Sequence, residues 1–256
     1  MPNTALQRID GSGLRFHLSG KLEHGSSLVL LLHGSGSHGA NLLPLATRLA
    51  AVLPGALFVL PDAPQSMREI LSTVQVAATE RERPDMNWEQ SRNWVRPSDS
   101  AVGDPHAQRQ AFLDMIRPPV RGLSRLADLL LAQYALPRSA LAIYGFSQGG
   151  MMALYLGIDR DPACAGVICH SGQFFGGTEP RSHPRTLLLV GAQELEPSQA
   201  MSQIYPIAVN ALRGLDIPFE EHVAPGLRHG FNAEVVERIG VFLAAVLPSR
   251  ETAADA

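Results

Sequence analysis

Short, unbroken apolar runs constrain this chain more than any other feature. "SLVLLL" (27–32), "ALFVLP" (56–61), "ALAIYG" (140–145), "AGVICHS" (165–171) and "RTLLLVG" (185–191) recur with helix-compatible stretches between them. A strand with one wet face alternates apolar and polar residues. A strand apolar throughout is covered on both faces, as parallel strands with crossover helices are. The pattern predicts helices over 41–52, 119–134, 148–157, 198–213 and 231–247. "LRFHL" (14–18) suits an N-terminal antiparallel strand, and the more alternating "PFEEHV" (218–223) suits a sheet edge. The expectation is an α/β fold: one domain over 1–256, with a mostly parallel central sheet and helices on both faces.

A chain of 256 residues can bury such a core without staples. Its formal net charge is −3, and its charges are mixed in sign, as in "ERER" (80–83), which argues against a nucleic-acid partner. The apolar runs are too short for a membrane helix, and "MPNTALQRIDGSG" lacks a basic-then-apolar signal pattern. The two cysteines are Cys164 and Cys169, the latter inside an apolar run. A buried free thiol is expected there, and with it a reducing cytoplasm.

Residues 63–118 break the rhythm. They contain both tryptophans (Trp88, Trp94), several prolines and no obvious strand. So long a segment is expected to be an insertion or lid-like excursion above the C-terminal edge of the sheet. The tail "SRETAADA" (249–256) is expected to fray.

Two motifs carry chemistry. "HGSGSHG" (33–39) follows an apolar run, and Gly34, Gly36 and Gly39 match the dinucleotide pattern G-x-G-x-x-G. The same turn could instead bind an oxyanion, because backbone N–H groups at a helix start face negative charge either way. On the first reading Asp62 would meet a ribose hydroxyl. The second motif, "GFSQG" (145–149), fits G-x-S-x-G between a strand and a helix. The glycines let the chain turn tightly and lift the Ser147 hydroxyl above the sheet edge.

A serine needs a base. Of the downstream histidines, His222 falls in a strand-like run, His183 in a polar loop and His170 at a strand end. His229, in "GLRHGF" (226–231) before the last helix, is best placed to reach over the sheet edge. The acid is expected after 185–191, where "AQELEPSQ" (192–199) offers Glu194 and Glu196. Glu194 lies closer to the strand end and is favoured.

"HGSGSHGANLLPLA", "LPDAP" (60–64), "GFSQGG" (145–150), "SGQF" (171–174) and "GLRHGF" occur in an order that resembles the acyl-protein thioesterase, or phospholipase/carboxylesterase, group of α/β-hydrolases. The resemblance spans about residues 27–247. It implies Ser147 as nucleophile, His229 as base and an acid at Glu194, where the family usually has Asp. It also implies an oxyanion hole from the backbone N–H groups of Ser35 and Gln148, with no cofactor and no metal. The function expected is a serine hydrolase cleaving carboxylic esters or thioesters through an acyl-enzyme. Its partner is a small-molecule or lipid-like ester, with short or medium acyl chains favoured by a wall built from Met67, Met86, Phe112, Met115 and the tryptophans. The alternatives are an inactive hydrolase-like binding protein and a dinucleotide-dependent oxidoreductase.

Overall fold

The computed structural model describes residues 5–20, 26–73, 90–96 and 105–248. Its strands are β1 Gln7–Arg8, β2 Arg15–Ser19, β3 Ser27–Leu32, β4 Ala56–Pro61, β5 Gln65–Ser66, β6 Arg92–Asn93, β7 Leu141–Phe146, β8 Gly166–His170, β9 Thr186–Gly191 and β10 Phe219–Ala224. Its helices are α1 Leu43–Val52, α2 Met67–Thr73, α3 Pro105–Gln133, α4 Gln148–Asp159, α5 Met201–Gly214 and α6 Ala233–Val246.

Eight strands form one sheet in the order β1-β2-β4-β3-β7-β8-β9-β10. β4 through β10 in that order are mutually parallel, while β2 joins β4 antiparallel and β1 joins β2 antiparallel. β10 is the edge strand its alternating sequence suggested. The apolar runs are buried on both sides. Leu28, Leu30 and Leu32 of β3 join a core with residues of α3, α4 and α5. Val29 and Leu31 of the same strand face the core of α1 and α6. Both cysteines are buried and unbridged, and burial pushes each thiol up to about 12. Among the described residues no helix is long and apolar enough to cross a membrane.

Three expectations need correction. The helix expected over 119–134 starts at Pro105. The pair Pro118–Pro119 reads as a helix start, because proline favours the first turn and disfavours the interior. Yet Leu113, Ile116, Val120, Leu123, Ala127 and Leu130 are all buried, a 3-4-3-4-3 spacing that runs straight through both prolines. Burying Leu113 and Ile116 contributes roughly 1.5–3 kcal/mol each, which offsets much of the roughly 3 kcal/mol cost of each interior proline. Second, the stretch from 63 onward is not strand-free: β5 and β6 pair antiparallel. Third, β1 escaped notice because two residues carry no period. Trp88, Met86 and the tail 249–256 lie outside the described residues.

β3 sits between β4 and β7, so the chain first winds one way from β3 and then the other. The crevice at the C-terminal ends of strands flanking such a reversal is where open α/β sheets bind ligands. The turns after β3 and β7 carry Ser35 and Ser147.

Candidate active site

Ser147 occupies the turn between β7 and α4 with φ 55° and ψ −119°. A side chain in that region is strained. Its surroundings over-determine it. The Ser147 N–H donates to the His170 carbonyl at 2.8 Å. A Cβ on Gly145 would lie 2.0 Å from the Gly149 carbonyl oxygen, and one on Gly149 would lie 2.2 Å from that of Leu32. Only glycine allows the turn to close this tightly against β3.

β9 leads into a 3-10 turn, Ala192–Leu195, which turns Glu194 inward. Glu194 Oε2 and His229 Nδ1 are 2.5 Å apart. Glu194 Oε1 accepts from the Ser171 hydroxyl at 2.5 Å and from the Gly191 N–H at 2.9 Å. Burial raises the carboxyl pKa, but the donors His229, Ser171 and Gly191 N–H outweigh it and hold Glu194 below the usual carboxylate range. An ionised carboxylate only accepts, so the hydrogen of this contact is donated by His229 Nδ1. Glu196 is exposed and lines the same cavity. That cavity, of about 560 Å³, brings Ser147, Glu194 and His229 together.

The other histidines lie elsewhere. His222, on the edge strand β10, pairs with Glu234 of α6. His170 is buried beneath the site, bonded through Nδ1 to the Tyr144 hydroxyl at 3.0 Å, and burial lowers its pKa to about 3. Its ring packs 4.9 Å from Phe146, which in turn packs 4.7 Å from His229.

The turn after β3 is anchored from β6. The buried Asn93 amide oxygen accepts from the Ser35 hydroxyl and from the Gly36 N–H. The Gln148 side chain accepts from the Trp94 N–H at 2.7 Å and donates to the Val95 carbonyl at 3.0 Å. Gln148 is the first residue of α4, so its own N–H has no acceptor within the helix. Sequence reasoning missed Ser171 and Asn93. "SGQF" was the only pointer to Ser171, and nothing local singles out Asn93.

The Gly-rich turn has its own structural account. Gly39 is required because a Cβ there would lie 2.2 Å from the Leu60 carbonyl oxygen. Asp62 accepts from the Gly39 N–H at 2.9 Å and pairs with Arg15 at 3.2 Å. Its carboxylate is committed to the fold rather than presented to a ribose. His33 accepts from the Ala63 N–H through Nε2 at 3.0 Å and bonds the Gly34 carbonyl through Nδ1 at 2.8 Å. Among the described residues no group of three or more His, Cys, Asp or Glu is arranged to hold a metal ion.

A second cavity, of about 400 Å³, adjoins the first at Ser147, Ser171 and Gln173. Val95, Phe112, Met115, Met151 and Phe175 line it. Phe112 and Met115 therefore form part of a wall, as expected. Trp94 does not: it is fully buried, its ring 5.2 Å from His33 and its indole N–H donated to the His33 carbonyl. Met67 instead packs its sulfur against the Asn93 amide.

This architecture is that of an α/β-hydrolase. A family profile described as Phospholipase/Carboxylesterase matches residues 102–247, and the chain belongs to that family of ester-cleaving hydrolases. A search of curated proteins found no match. Among solved structures, esterase PE8 superposes with a TM-score of 0.71 at 25% identity, covering 91% of this chain and 99% of its own. A carboxylesterase from Mesorhizobium loti gives 0.63 at 16% identity, covering 93% and 98%. SOBER1 of Arabidopsis thaliana gives 0.65 at 18% identity, covering 87% and 99%. The last two are likenesses of fold.

Proposed function

We propose that this chain is a serine hydrolase that cleaves carboxylic esters or thioesters through an acyl-enzyme. Ser147 attacks the acyl carbon, and His229 Nε2 takes its proton and delivers it to the leaving group. Glu194 orients His229 and stabilises its charged form. The N–H groups of Ser35 and Gln148 receive the oxyanion, and each such donor is worth roughly 10²–10³ in rate. Water then repeats the cycle. The observation that carries this reading is the 2.5 Å contact between His229 and Glu194 in the cavity that Ser147 borders. The smaller cavity, which Phe112, Met115, Met151 and Phe175 line together with Arg96 and polar residues at its Ser147 end, supports short or medium acyl chains. The two buried, unbridged thiols support a reducing cytoplasm.

The test is labelling by a fluorophosphonate probe together with turnover of p-nitrophenyl butyrate. The wild-type protein labels and turns over. Ser147→Ala loses both, with kcat falling by on the order of 10⁶, while its circular dichroism is unchanged. A wild-type protein dark to the probe would make it an inactive binding protein instead.

A further inference from the structure

The two cavities that meet at Ser147 differ in chemistry, and the reaction assigns them. In ester cleavage the Ser147 oxygen bonds to the acyl carbon and the carbon–oxygen bond to the alcohol breaks. The proton taken from Ser147 passes through His229 to the departing oxygen, which leaves as a free alcohol. Water later releases the acid and restores the serine. The departing half must therefore lie on the His229 side. His229 lines the larger cavity and not the smaller. Ser35 and Gln148, which flank the carbonyl oxygen on the proposed mechanism, line the smaller and not the larger.

The larger cavity thus takes the leaving group, and its walls select a chemistry. Gln173, Gln193 and Gln199 line it, with Met201 and Ile204 supplying apolar surface. A primary amide offers both donors and an acceptor, matching a hydroxyl, which both donates and accepts. Charged leaving groups are poorly matched. A phosphate-bearing carrier or headgroup calls for a cluster of cations. Among the described residues the sole arginine or lysine on this wall is Arg228, whose Nε donates to Gln193 at 2.9 Å. A quaternary ammonium calls for an aromatic cage, and among the described residues no Phe, Tyr or Trp lines this cavity. Of its two carboxylates, Glu194 is engaged by His229 and Ser171, and Glu196 is solvent-exposed, where water weakens its pull on a cation. We infer that the leaving group is an uncharged, hydroxyl-bearing alcohol, a polyol or sugar, read by the amides of Gln173 and Gln199 and by the amide NH2 of Gln193, whose oxygen holds Arg228. The inference rests on the hydrolase reading above.

The experiment holds the acyl group constant. Butyryl esters of glycerol, glucose, choline and p-nitrophenol, and butyryl-coenzyme A, are compared by kcat/KM with the full-length protein. The glycerol or glucose ester is expected to exceed both the choline ester and the coenzyme A thioester at least tenfold. Gln193→Leu and Gln199→Leu are each expected to lower the ratio of polyol-ester to p-nitrophenyl-ester kcat/KM several-fold, chiefly through KM. Equal or better turnover of the charged substrates, or an unchanged ratio in both variants, overturns the inference and leaves the hydrolase reading standing. No turnover of p-nitrophenyl butyrate by the wild-type protein instead overturns the hydrolase reading on which it rests.

Discussion

Ser171 donates its hydroxyl to Glu194 at 2.5 Å, so the carboxylate that meets His229 on one oxygen is held by a second serine on the other. Ser171 follows β8 with φ 51°, another non-glycine residue in the left-handed region. The strain is tolerated because its N–H bonds the Leu189 carbonyl at 2.7 Å, aiming the hydroxyl across the gap to the turn after β9. On the proposed mechanism Ser171 is a positioning residue: it acts through Glu194.

Ser171→Ala is expected to lower kcat/KM about tenfold, the effect of losing one hydrogen bond to a charged group. Removing a donor from the ionised form also raises the Glu194 pKa. The acid limb of the pH–rate profile should therefore move to higher pH in the variant. Steady-state kinetics across pH 4–8 check both effects. A uniform loss with an unmoved profile would reduce Ser171 to packing.

Glu194→Ala is expected to cost roughly 10⁴ in kcat, as loss of a triad acid does. Glu196→Ala should stay within a few-fold of wild type, because Glu196 is exposed and His229 bonds Glu194. Parallel kinetics of the two purified variants decide the matter, and the reverse order would transfer the role to Glu196.

Stability should fall on mild acidification. Burial lowers the pKa of His33 to about 4 and of His170 to about 3, against an ordinary 6.5. Below pH 6.5 the unfolded chain binds these protons and the folded chain does not. Each histidine therefore favours folding fully above pH 6.5 and loses that contribution as pH falls toward its folded value. By pH 5 the loss is about 2 kcal/mol for each. Urea melts at pH 7 and pH 5 measure it, and His33→Asn should flatten the slope.

On the proposed mechanism the smaller cavity holds the acyl chain and limits its length. A p-nitrophenyl ester series is expected to peak at short or medium chains and decline at long ones. Phe112→Ala should move the optimum to longer chains, since each methylene in a packed pocket is worth about 1–3 kcal/mol. A wild-type profile that climbs steadily to long acyl groups would refute the wall.

The sheet was legible because each central strand is apolar on both faces, which leaves few alternatives. That Ser147, Glu194 and His229 line one cavity was legible because each lies in the connection after a parallel strand, where topology limits what a side chain can reach. The first half of α3 was hidden by Pro118 and Pro119, whose local preference is overridden by a buried stripe visible only with tertiary packing. Trp94 reveals its size in the sequence but not its direction, and its indole points to His33 rather than to the cavity. Ser171 and Asn93 act across the fold on residues far away in the chain, and no local period encodes that.

Asn93, Trp94 and Val95 together grip both turns that carry the proposed oxyanion donors. The two donors thus share one short peptide as a common jig, supplied by a pairing outside the main sheet. Catalytic competence is on this account a gauge of whether that peptide is seated. In a denaturant titration, turnover should vanish while the eight-stranded sheet still gives its full far-ultraviolet signal, because small peripheral pairings open at lower free energy than the core. The protein would then lose its chemistry before its shape.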